Sequence, residues 1–139
     1  MDQVSLVANV RQVAEIARNL FCTLFFFYDA FKDAPKHSRQ LREDLATICQ
    51  SLDDLYDSIT TKSQYYSSVS LPPSIMGLRV LFNRMNDRVT AKRKKSRRLK
   101  WPFTEEENQD FISKIAGCKI TFSVHIQAVL LVRIFHSVM

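Results

Sequence analysis

A chain of 139 residues has the size of one ordinary domain and can bury a core without disulfide or metal staples. With 46% hydrophobic residues, two glycines and four prolines, it lacks the turn punctuation of a sheet protein, so an all-α fold is expected. The formal charge of +6 is concentrated: Lys92 to Lys100 hold seven of the 20 basic side chains, and the remaining 13 face 14 acids, leaving a net −1 elsewhere. That excludes a uniformly basic protein and describes a near-neutral body with one patch able to attract phosphates of nucleic acid or anionic lipid.

The first helix is expected over about Val4 to Phe31, with apolar residues at 13, 17, 20, 24, 27 and 31 in alternating steps of four and three. A second stripe of Val10, Ala14, Phe21, Phe25 and Tyr28 makes this helix more apolar than one core face requires. Its longest uncharged run, Asn19 to Tyr28, falls far short of the ~20 residues of a bilayer span. Pro35 in "KDAPKHS" ends the helix. Leu41, Leu45, Ile48, Leu52, Leu55 and Ile59 give the cleanest bundle helix, which decays into "TTKSQYYSSVSLPPS", a loop with paired prolines.

A third helix should start near Ser74 and use Ile75, Leu78, Phe82, Met85 and Val89 before running out into a basic loop, residues 92–103. Arg79, Arg84 and Arg88 extend its positive charge backwards. Thr104 and Glu107 then form a capping box, with Glu105 to Glu107 where the helix dipole favours acids, and the last helix continues through Phe111, Ile115, Cys118, Phe122 and Val129. The expected architecture is a single domain, an antiparallel up-and-down bundle of four to five helices.

No constellation for catalysis is visible, and neither a cofactor nor a metal is expected. Gly77 and Gly117 cannot build a phosphate loop. His37, His125 and His136 lack partners at zinc-ligand spacing. Asp53, Asp54 and the "EEE" triplet suit a solvated face and a first helical turn better than paired catalytic acids. Cys22, Cys49 and Cys118 are odd in number and lie in apolar stretches, which favours buried thiols and a reducing compartment. The start has no basic n-region of a secretory signal, so a cytoplasmic location is expected.

Three uses suit the basic run. Lys92, Arg93, Lys94, Lys95, Arg97, Arg98 and Lys100 can hold anionic lipid at about 1 kcal/mol each near the surface. They also fit a nuclear localisation signal or phosphate contact, but no recognition helix for specific nucleic acid is present. Solvating a loop is the plain alternative. Trp101 and Phe103 are expected to fold back on the bundle and anchor the connector, or to serve with the cations as an interfacial anchor.

The phrase "RRLKWPFTEEE" at 97–107, behind a basic run and ahead of a helix, resembles the N-terminal domain of fungal STAND proteins, the NLR-like receptors that also carry NACHT and repeat regions. The opening "MDQVSLVANV" and the break "KDAP" look like the same family, over roughly residues 1 to 122, with "LKWPF" the specific element. The group is similar to HeLo and HeLo-like bundles and, more distantly, to the bundle of mixed lineage kinase domain-like proteins. The resemblance implies a programmed-cell-death effector in fungal innate immunity and heterokaryon incompatibility, controlled by receptor regions C-terminal to it, and moving from cytoplasm to plasma membrane on activation.

In such domains the first helix is the one released into the membrane, a role that the resemblance would carry onto Val4, Leu6, Val7, Val10, Phe21, Phe25, Phe26 and Phe27 after self-association. A non-membrane adaptor or oligomerisation module is the alternative. The tail "HIQAVLLVRIFHSVM" departs from the family's polar helix, which suggests a missing partner or a dimer interface.

Overall fold

The computed structural model describes residues 3–30, 36–61, 71–95 and 101–138. Four helices account for nearly all of them: α1 Gln3–Ala30, α2 Ser38–Thr61, α3 Leu71–Lys95 and α4 Glu105–Val138. No strand occurs among the described residues, so the fold is an all-α bundle. Phe31 lies outside the described residues, as do the side chains of Phe27, Tyr28, Val129 and His136.

The four-three stripes meet in one core. Val10, Val13, Ala17, Leu20 and Leu24 of α1 are fully buried, as are Leu41 to Ile59 of the α2 stripe, Ile75, Leu78, Phe82 and Met85 of α3, and Phe111, Ile115 and Phe122 of α4. Side-chain pairs fix the directions. Arg18 meets Asp53 at 2.8 Å and Arg42 lies over Phe25, so α1 and α2 are antiparallel. Arg88 meets Glu107, and Arg84 lies over Phe111, so α3 and α4 are antiparallel too.

Chain direction therefore alternates, but the helices are not arranged in sequential order around the bundle. Both α1 and α4 pack against α2 and α3, placing α1 and α4 on one diagonal and α2 and α3 on the other. Arg79 bonds Asn9 across a parallel pair, and Lys119 bonds Thr47 across another. Two of the four packed faces thus join parallel helices, an arrangement allowed by the nine-residue connection 62–70, whereas short links favour antiparallel neighbours. Packing against two neighbours buries Val10 and Ala14 of the second α1 stripe as well as the first stripe, whereas Phe21 is partly buried and Phe25 stays 42% exposed. The wide apolar surface of α1 has a structural cause only along part of its length.

Two helix limits differ from expectation. The prolines after Leu71 open α3 rather than prolong the loop, because first-turn residues need no intrahelical amide donor. At its other end α3 runs through Lys95, so the first four residues of the basic run are helical, not loop. Lysine and arginine are good helix formers and their charge suits a helix C-terminus. The capping box of α4 is formed: the Glu107 amide donates to Thr104 Oγ1 at 3.1 Å, and the Thr104 amide donates to the Glu107 carboxylate at 3.0 Å.

One buried polar junction ties the connector to the bundle. Asn108 is fully buried, accepts from Trp101 Nε1 at 3.0 Å and donates to Ser38 Oγ at 3.5 Å. Replacing Asn108 with Ala removes the acceptor of a buried indole N–H, which costs about 1–3 kcal/mol. Thermal melts should show Asn108→Ala destabilised by that amount, and Trp101→Phe in the Asn108→Ala background should cost less than Trp101→Phe alone. Additive effects would show that the bond contributes nothing.

Candidate functional site

The topology gathers four helix ends at one pole of the bundle. The C-terminal end of α1 lies beside the start of α2, where Arg42 sits 4.5 Å over the Phe25 ring. The start of α2 meets the start of α4, where Glu105 accepts from the His37 amide at 3.2 Å and also pairs with its Nδ1. The start of α4 in turn meets the end of α3 through the forked Arg88 to Glu107 pair, at 2.9 and 3.0 Å. Phe25, Lys36, Arg39 and Lys92 are all exposed on this pole.

This pole carries both charges, with Glu43, Glu105, Glu106 and Glu107 among Lys36, Arg39, Arg42, Arg88 and Lys92. Arg39 pairs with Glu43 at 3.3 Å and Arg88 with Glu107, so any excess of positive charge comes from the basic run that starts at Lys92. Trp101 and Phe103 are buried, and their rings meet edge to face at 5.9 Å, with Phe103 in turn against Phe111 at 5.0 Å. They anchor the connector and are not free to enter a membrane interface in this fold. The side chains of Arg93, Lys94 and Lys95, and Arg97, Arg98 and Lys100 entirely, lie outside the described residues.

The proposed insertion residues of α1 divide by burial. Leu6 and Val10 belong to the core, Val7 and Phe21 are partly buried against it, and Phe25 is 42% exposed. The side chains of Val4, Phe26 and Phe27 lie outside the described residues. The first turns of α1 sit at the pole opposite Phe25, so these residues do not form one site.

The thiols correct the expectation of buried cysteines in one case. Cys22 is exposed, whereas Cys49 and Cys118 are half-buried. The physical reason is register: Leu20 and Leu24 hold the core face of α1, which turns the residue midway between them outwards. Burial, reinforced by the Asp53 carboxylate, pushes the Cys49 thiol up to about 11. Among the described residues no group of three His, Cys, Asp or Glu could hold a metal ion, and no helix is long and apolar enough to cross a membrane.

A groove of about 550 Å³ lies between α3 and α4, floored by Leu78, Leu81 and Cys118, with Arg84 and Lys114 towards the cationic pole. Both glycines of the chain line it, and a Cβ added at either meets nothing within 4 Å. The groove is therefore open space that small residues leave between two helices. Sequence spacing alone did not place Gly77 and Gly117 together, because the α3 to α4 register comes from the Arg88 and Glu107 pairing. No family model, curated protein or solved structure matches this chain.

Burial pulls the Glu107 carboxyl upwards, but the bonds from Arg88 and the Thr104 amide outweigh it and hold the group below 4.5. Stability from this lowered value is present above the unfolded value and is lost as pH falls through the folded one. Glu107→Gln should therefore melt lower than wild type at pH 7, with the gap closing as pH drops below about 4. A gap unchanged between pH 7 and pH 3, measured by circular dichroism, would show that the ion pair is not its source.

Proposed function

We propose that this chain is a non-enzymatic signalling module that docks on anionic lipid through its cationic pole, as an N-terminal effector domain of the fungal NLR-like type. The observation that carries the reading is the convergence of the aromatic end of α1 and the cationic end of α3, distant in sequence, on one pole. Phe25, Arg39 and Lys92 are exposed there, and the basic run continues directly from Lys92. Aromatic rings and cations side by side suit the headgroup region of an anionic membrane. The "LKWPF" resemblance and the bundle class support the same assignment.

Docking is the step available to the folded domain. Insertion of α1 and permeabilisation, implied by the resemblance, require that helix to leave the core, and a single amphipathic helix binds membranes only reversibly. The lipid-bound domain is thus the resting contact, and self-association the condition for anything further. An adaptor reading, in which the domain couples a receptor to partners by helix contacts, is favoured by the apolar exposed side of α4. Nuclear targeting through the basic run is a secondary trait of the same charges.

Vesicle co-sedimentation separates these readings. The chain should bind vesicles containing about one-third phosphatidylserine and leave neutral phosphatidylcholine vesicles, and replacing Lys92, Arg93, Lys94 and Lys95 with Gln should weaken binding by more than tenfold. Phe25→Ser should weaken it further. Equal binding to both vesicle types, or full binding by the Gln variant, would remove the electrostatic docking.

A further inference from the structure

The geometry points to a second copy of this chain as the partner of α4, laid antiparallel along its exposed side. Among the described residues the last buried one of α4 is Phe122 and the last packed on the core is Ile126, yet the helix continues for about three more turns to Val138. Along it Gly117, Val124, Leu131 and Val138 recur every seven residues, and Ile120, Gln127 and Ile134 follow the first three of them by three. These are the a and d positions of a heptad, a spacing that sets them in one stripe able to lie along another helix.

All seven positions are exposed, and the large apolar ones, with the neighbouring Phe135, are 58–81% accessible. Together with Leu130 they expose on the order of the ~800 Å² that each partner gives a standard interface. That is more than the few hundred Å² of apolar patch usual on a monomer.

Three features select a second copy over an unrelated helix. From Phe111 onward the chain contains no acid, and its two full charges beyond Gly117, Lys119 and Arg133, both occupy position c, away from the seam. Positions e and g are uncharged throughout 117–138, so nothing repels a copy and nothing selects a charged partner. Gln127, the single polar residue of the seam, stands at the midpoint of the stripe. A symmetric pairing therefore brings it beside its own counterpart, where each amide can both donate and accept.

The groove decides the direction. The stripe begins at Gly117, where Gly77 and Gly117 leave space between α3 and α4. In an antiparallel pair the overhanging end of each α4 lies over the other copy's groove, and the two-fold interface closes on itself. A parallel pair buries the two overhangs against each other but leaves both grooves open.

Sedimentation equilibrium on the full chain should give a dimer at micromolar concentration, and Leu131→Glu with Ile134→Glu should weaken it by more than a hundredfold while leaving helical circular dichroism intact. Both positions are exposed, so the double variant does not disturb the core. Asn83→Glu, exposed on α3, should leave the dimer unchanged. A monomer at all concentrations, whether or not it binds vesicles, or a dimer that survives the double substitution, would overturn the pairing. Spin labels on Val138→Cys, with Cys22, Cys49 and Cys118 replaced by Ala, should lie about 30 Å apart in the dimer. A separation below about 15 Å would overturn the antiparallel arrangement.

Discussion

The contact on which the arrangement depends is the buried amide of Asn108. It stands at the start of α4, takes the Trp101 indole proton and reaches Ser38 at the start of α2. These bonds join the first turns of two parallel helices to the connector that follows the basic run. An amide buried without partners is costly, so the helix starts and the connector must be placed together. The edge-to-face rings of Trp101, Phe103 and Phe111 then fill the space around that junction. A strongly charged segment is thereby held to a fixed point on the bundle.

Much of the fold was legible because each helix had its own local signal. The α2 stripe, the capping box and the break at Pro35 each state a physical requirement within a few residues. The circular order of the helices was not legible, since four-three spacing gives a helix a buried face without naming the helix that covers it. The same limit applies to α1, whose second stripe looks like surplus until α1 is seen to pack against both α2 and α3 and to bury Val10 and Ala14 of that stripe. The α3 ends were misplaced because proline at a first turn and lysine in a last turn are compatible with both loop and helix. At the candidate site, the basic run was visible as composition, but the placing of its first residues and Phe25 at the same pole is a product of topology.

Burial energetics constrain how such a domain can act on a membrane. Val10, Val13, Leu20 and Leu24 are fully buried, and at about 1.5–3 kcal/mol each their exposure to water costs on the order of 6–12 kcal/mol. That equals the whole stability of an ordinary domain, about 5–15 kcal/mol. Withdrawal of α1 is therefore unfolding, not a hinge movement, and it can proceed only where lipid or another protein surface replaces the core. Docking at the cationic pole demands no such sacrifice.

The cationic pole and the apolar overhang lie at opposite ends of α4, and this sets how the two proposals combine. From Glu105 to Gln127 the helix rises about 33 Å. An antiparallel pair centred on Gln127 therefore holds its two cationic poles about 65 Å apart and facing away from each other. A flat bilayer can meet one of them at a time. Pairing through α4 thus denies the dimer the gain in avidity that two linked sites provide on one surface, because geometry forbids simultaneous engagement. The α4 dimer is on this account a storage form, and any membrane assembly of several copies must either dissolve it or use other faces of the bundle.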